Sequence, residues 1–197
     1  LKIIIRRAEK EEEMITLDGA KRILDENILI IAVETGRPAD RQTGRPAAIA
    51  GIIGGKDTEV TESTKNILLE AAVFNPVLIR RARQKLGIQT DSSYRFERSI
   101  DLEIVQAASR RAQELIQEIA GGSCVLAKAS GPVRTKKKTI NLNTGFLSKT
   151  LGLSISTARI KQILNALGFK AKPNNKNSRI VIPSFRQDVN SEIDLIE

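Results

Sequence analysis

The chain has 197 residues, 41% of them hydrophobic, which is enough for a sizeable core in one large domain or two small ones. The formal charge of +9 favours a polyanionic partner, while 3% aromatic residues argue against a broad base-stacking platform. With no histidine and one cysteine, Cys124, the chain has neither the usual general base nor an internal disulfide, and no apolar run approaches the ~20 residues of a membrane span. A cytoplasmic location without a membrane partner is expected, with Cys124 packed as a small hydrophobe. The chain begins at Leu1 inside a strand-like run and stops at Glu197 inside a helical pattern, so it reads as a fragment of a longer protein.

Residues 1–7 read as a strand. Residues 13–17 and 20–24 form a hairpin about Asp18-Gly19, a pair suited to the positive φ of a tight turn. A strand follows over 28–33. Residues 35–47 hold the motif TGRPA twice and read as a loop. A buried strand over 47–53 runs into Gly54-Gly55, where the backbone turns sharply or a ligand comes close. Residues 66–74 read as a strand with Glu70 at its middle. Asn75-Pro76 opens a helix that Gly87 closes, with Arg80, Arg81, Arg83 and Lys85 on its exposed face. Residues 90–93 form a polar turn before the run Tyr94-Arg95-Phe96-Glu97-Arg98.

A scaffold helix over 101–120 carries an apolar stripe at helical spacing and ends at Gly121-Gly122. Residues 123–138, with Gly131-Pro132 and three lysines at 136–138, read as a linker. Helices follow over 146–151 and over 157–167, the second capped by Ser156. A hairpin turns about 174–177 and Ser191 caps a last helix, an order that resembles a winged helix-turn-helix.

Two constellations could carry chemistry. Glu70 stands in an apolar run near the hydroxyls of Thr90 and Ser92; the residues alone leave open whether it faces solvent or a pocket. Asp188, Asp194 and Glu197 offer oxygen ligands at a spacing that suits magnesium, yet Ser191 with Asp194 also makes a capping box. From spacing alone the cap is favoured.

The stretch GIIGGKDTEVTESTKNILLEAAVFNPVLIRRARQKLGIQTDSSYRFERSID, with LGF, IPSFRQD and EIDLIE downstream, resembles the beta subunit of bacterial phenylalanyl-tRNA synthetase. The resemblance covers residues 1–197 and implies an α+β chain. A mixed-sheet editing module over 1–122 is followed by a linker over 123–138 and a truncated winged-helix-like module over 139–197. It implies a part in charging phenylalanine onto tRNA(Phe) with ATP and Mg2+. The partners would be tRNA(Phe) and the alpha subunit, in an assembly of two alpha and two beta chains.

The resemblance further implies hydrolysis of tyrosine mischarged onto that tRNA. An apolar pocket rejects an added hydroxyl poorly, so a second, hydrolytic site is needed. Glu70 falls on the family's tyrosine-reading glutamate, and Thr90, Ser92 and Gly54 on pocket positions. Ser92 stands where the family usually has alanine, and Ser99 where it has glycine. The family's histidine and other cleft groups lie upstream of this stretch, so the chain alone is expected to edit poorly, with no catalytic residue of its own and no ATP site. Asp188, Asp194 and Glu197 fall on a magnesium motif whose last glutamate lies beyond residue 197. The competing class is a non-catalytic winged-helix protein that binds nucleic acid.

Overall fold

A computed structural model describes residues 2–34, 43–131, 136–172 and 177–197. The chain divides into two compact units, Leu1–Ile100 with Arg111–Gln113, and Asp101–Arg110 with Glu114–Glu197. The expected α+β class is what is found: antiparallel sheets with helices in both units.

In the first unit β1 (Lys2–Arg7), β4 (Leu29–Glu34), β5 (Arg45–Ile49) and β6 (Ile53–Gly54) make one sheet in that order. β2 (Glu13–Ile15) and β3 (Lys21–Ile23) make a separate hairpin, joined to the end of the sheet by the bridge Thr16–Gly55. Gly19 takes φ +78° in its turn, as the Asp-Gly pair predicts. Ile30, Ile31 and Ala32 of β4 are all buried, which places this strand at the centre of the core. The register between β4 and β5 shifts at Ile31/Ala32, beside Pro46, which has no N–H to offer the ladder. The second TGRPA copy therefore enters a strand at Arg45, contrary to the loop expected there. The first copy lies outside the described residues. The expected strand over 47–53 is two strands, β5 and β6, with a turn at Gly51.

Helix α1 (Pro76–Leu86) has the predicted ends. Asn75 Oδ1 accepts hydrogen bonds from the N–H groups of Val77 and Leu78 at 3.0 and 3.3 Å, and Gly87 closes the helix at φ 65°. Ile79 and Ala82 face the core beside Phe74 and Ile88. Asn75→Ala is expected to lower stability by about 1 kcal/mol, read from urea unfolding, because two donors of the first turn lose their acceptor.

Helix α2 (Asp91–Phe96) replaces the polar turn expected at 90–93. After a short 3-10 turn, α3 (Val105–Ala120) follows, and its stripe contains no buried residue among those described. Residues 121–131 have no regular structure, and Cys124 there is exposed rather than packed.

The second unit continues with β7 (Thr139–Asn143), which the sequence reading did not assign, then α4 (Thr144–Leu151) and α5 (Thr157–Ala166). β8 (Lys170–Lys172) and β9 (Asn177–Val181) complete an antiparallel sheet in the order β7-β9-β8, and α6 (Glu192–Ile196) ends the chain's described elements. Leu142, Leu147, Ile160, Leu164, Phe169, Ile180 and Val189 form its core. A strand, two helices and a hairpin give this unit a winged-helix-like order. No helix of the described residues is long and apolar enough to cross a membrane.

Candidate functional site

The start of α2 is tied to the turn between β5 and β6. Thr90 caps the helix: its hydroxyl oxygen accepts from Ser93 N–H at 3.0 Å, and Ser93 Oγ accepts from Thr90 N–H at 2.9 Å. Thr90 Oγ1 in turn donates to Ile52 O at 2.7 Å, and Ser92 Oγ donates to Gly51 O at 3.2 Å. Thr90, Ser92 and the segment leading to Gly54 are thus brought together. Both hydroxyl protons are committed to carbonyls, so toward a ligand these groups have only lone pairs left.

The glycines of this turn are set by packing. Gly51 takes φ +67°, and a Cβ there would lie 2.6 Å from Phe74 Cδ2. A Cβ on Gly54 would lie 3.0 Å from Leu17 Cδ1, and one on Gly55 would lie 2.8 Å from Ala47 O. Gly54 thus leaves room for the Leu17 side chain beside the hairpin, and Gly55 for the β5 backbone at Ala47.

Glu70 is placed differently. Residues 66–74 form no strand; the segment is irregular and its Ile67, Leu68 and Leu69 are exposed. An alternating apolar run becomes a strand only beside a partner that takes its backbone groups, and none of the described strands pairs with it. Glu70 itself is exposed to solvent, yet enough protein surrounds its carboxyl for desolvation to raise its pKa. No hydrogen bond or ion pair reaches it among the described residues, and none joins it to Thr90 or Ser92. Two surface hollows stand out, one of about 280 Å³ beside Ile28, Leu78 and Arg81, the other of about 410 Å³ beside Met14, Lys21 and Arg45. Neither contains Glu70, Thr90 or Ser92.

A further cluster lies at the C-terminal end of α2, around Glu97. The Glu97 side chain is 5% exposed; it takes the Arg83 guanidinium on both oxygens and Arg98, at 2.6 Å, on Oε1. Arg80 donates to the Glu97 carbonyl at 3.4 Å. The Arg83 guanidinium foremost, and Arg98 after it, hold the Glu97 carboxyl below the usual range despite desolvation. Arg98 also lies over the ring of Tyr94, 3.6 Å from its centre. Two arginines meet the carboxylate, and a third meets the main-chain carbonyl of the same residue. The signal in the sequence was R-F-E-R next to the basic face of α1, which spacing alone does not bring together.

In the second unit Asp188 and Asp194 are occupied. Asp188 receives the Arg186 guanidinium through both oxygens, with contacts from 2.7 to 3.1 Å. Asp194 Oδ2 accepts from the N–H groups of Asn190 and Ser191, each at 2.8 Å, the capping arrangement at the start of α6. Hydrogen bonding to Arg186 lowers the pKa of the first, and the two backbone N–H groups lower that of the second. Asp188, Asp194 and Glu197 do not converge, and no group of three acidic or thiol side chains among the described residues is arranged to hold a metal ion. As arranged, this donor set does not fit magnesium, because each aspartate already has a cation or amide donors in place of the metal.

The family model described as "B3/4 domain" matches residues 1–121. The chain belongs to the B3/4 domain family. Downstream of the B3/4 domain, the model described as "tRNA synthetase B5 domain" matches residues 140–197. Relatives span the whole chain. A protein of Aquifex aeolicus is 43% identical over 99% of it, and one of Carboxydothermus hydrogenoformans is 39% identical over 99%. Both are named Phenylalanine--tRNA ligase beta subunit, the family the motifs resemble. The chain spans 24% and 23% of their lengths. A solved N-terminal fragment of the phenylalanyl-tRNA synthetase beta subunit from Pyrococcus horikoshii matches 100% of the chain and 54% of its own, at 13% identity and a TM-score of 0.47. Gly54, Glu70, Thr90, Ser92 and the arginine cluster all fall in the B3/4 domain; Asp188, Asp194 and Glu197 fall in the B5 domain.

Proposed function

We propose that this chain is part of the beta subunit of a phenylalanine-tRNA ligase, which with an alpha subunit charges phenylalanine onto tRNA(Phe) in the cytoplasm, with two chains of each kind. The observation that carries this reading is the 43% identity over 99% of the chain to a protein so named. The division is an editing module over 1–122, a linker over 123–138 and a winged-helix-like module over 139–197. ATP and Mg2+ serve the charging reaction of the whole ligase; no step of it is assigned to residues of this chain.

The B3/4 domain supplies one wall of a site that clears tyrosine from tRNA(Phe). Water adds to the ester carbonyl, the bond from that carbon to the ribose oxygen breaks, tyrosine leaves as its carboxylate and the ribose regains its hydroxyl. This chain's part is recognition. Glu70 has no partner among the described residues and can accept the phenolic O–H of tyrosine, whereas phenylalanine would leave it unpaired. Thr90 and Ser92, their protons already committed to Ile52 O and Gly51 O, border the ligand as acceptors beside Gly54.

In the full-length enzyme, Glu70→Ala is expected to slow deacylation of tyrosyl-tRNA(Phe) roughly tenfold or more, the scale of one hydrogen bond to a charged group. Charging of phenylalanine is expected to stay at the parent rate. Tyrosine cleared at the parent rate would remove Glu70 from this role.

A further inference from the structure

The arginine cluster on α1 and α2 has more positive charge than its fold requires. One buried carboxylate, Glu97, is enough to hold Arg83 and Arg98, and Arg80 adds a third guanidinium through the Glu97 carbonyl. Arg95 stands on the same short helix, exposed, with its guanidinium on Asp91 O at 3.4 Å. Tyr94 is 50% exposed with Arg98 over its ring. Guanidinia held in place by other contacts lose less freedom when they take a phosphate. An exposed tyrosine ring backed by a cation is a platform for an unpaired base.

The position adds to this. Tyr94 N–H donates to Thr90 O at 2.9 Å, so Tyr94 sits one helical turn, about 5.4 Å, further along α2 than Thr90. Thr90, Ser92 and Tyr94 thus lie on one short helix and its N-cap, whose start is fixed to Gly51 and Ile52, with Arg98 just past its end.

We propose that Arg80, Arg95, Arg98 and Tyr94 form a docking surface for single-stranded RNA, with guanidinia on successive phosphates and one base stacked on Tyr94. This rests on the reading of the chain as part of a tRNA-acting enzyme, and it assigns the strand that leads the 3′ end toward Thr90 and Ser92. RNA is favoured over an acidic protein segment because an acidic segment would use the arginines and gain nothing from the tyrosine.

The test uses the full-length enzyme and a single-stranded RNA dodecamer ending in CCA, with affinity read by fluorescence anisotropy against salt. Arg80→Gln combined with Arg95→Gln leaves both ion pairs of Glu97 in place, so the thermal unfolding curve is expected to match the parent. The same variant is expected to bind the dodecamer about tenfold more weakly at 0.1 M salt, with the log–log salt slope shallower by about 1.4, two phosphate contacts at ~0.7 each. Tyr94→Ala is expected to weaken binding about fivefold or more, and Tyr94→Phe to keep the parent affinity. Parent affinity and salt slope in the double arginine variant would overturn the proposal. So would parent affinity in Tyr94→Ala together with arginine-dependent binding of poly-glutamate, which would make the face a protein-docking surface. Clearance of tyrosine that still depends on Glu70 while these variants bind RNA normally would sink this surface and leave the editing reading standing; loss of Glu70 dependence with an intact RNA effect would do the reverse.

Discussion

Gly51→Ala is expected to destabilise the fold by about 2–4 kcal/mol, from a left-handed residue and an overfilled core together. The added Cβ would lie 2.6 Å from Phe74 Cδ2 and 3.0 Å from Ile79 Cδ1, and neither neighbour is free to move. Phe74 is buried and meets Phe96 edge to face, with ring centres 4.9 Å apart, while Ile79 is one of the two buried residues of α1. The substitution also disturbs the candidate site, since Gly51 O is the acceptor for Ser92 and Ile52 O the acceptor for Thr90. Urea unfolding is the measurement, together with hydrogen exchange at Ser93, whose amide depends on the Thr90 cap. A loss of under half a kcal/mol with unchanged exchange would show that the turn can relax away from Phe74.

Arg6→Ala is expected to lower stability by about 2–4 kcal/mol, because it leaves a mostly enclosed carboxylate without its counter-charge. Arg6 reaches both oxygens of Glu12, at 2.8 and 2.7 Å, and also donates to Thr43 O at 2.7 Å and Gly44 O at 3.1 Å. The two side chains are 15% and 14% exposed, so water replaces little of what is lost. One guanidinium thereby ties β1 to the start of β2 and to the approach to β5.

The same pair predicts a pH dependence. Burial would raise the Glu12 carboxyl, but the Arg6 hydrogen bonds, the Glu9 N–H and the Arg6 charge outweigh it, and the net shift is down from 4.5. A carboxyl lowered in the folded state binds its proton first in the unfolded state. This contribution is therefore whole above about 4.5, the unfolded value, and is lost as pH falls through the lower folded value. In Arg6→Ala the Glu9 N–H is left alone against the burial, so the carboxyl is lowered less and protonation of Glu12 costs the fold less than in the parent. Unfolding free energies of parent and variant are expected to converge as pH is lowered from 6 toward 3; curves that stay parallel would show that Glu12 is not the group responsible.

The features that were legible in the sequence are those set within a few residues. Asn75-Pro76 and Gly87 bound α1, Ser156 caps α5 and Gly152 ends α4, because a cap is a contact between neighbours in the chain. The Asp18-Gly19 hairpin is of the same kind. Thr90 was singled out with its polar neighbours, but a cap followed by hydroxyls starts a turn or a helix equally well. Docking of Thr90 on Ile52 O accompanies the helix.

Local caps and turn residues determined by themselves several helix ends and one hairpin, and the ordered motifs carried the resemblance that implied an α+β chain. They also singled out Glu70, Thr90, Ser92 and Gly54. Only the tertiary structure decided what meets what. It let Pro46 into a strand by a register shift, left residues 66–74 irregular where no described strand pairs with them, and gave Asp188 and Asp194 to an arginine and a helix cap. It also drew Arg80 and Arg83 of α1, with Arg98 just past α2, onto Glu97. The physical reason is that strand pairing and charge pairing join residues distant in sequence. A backbone group or a carboxylate carries no mark of which distant partner will satisfy it.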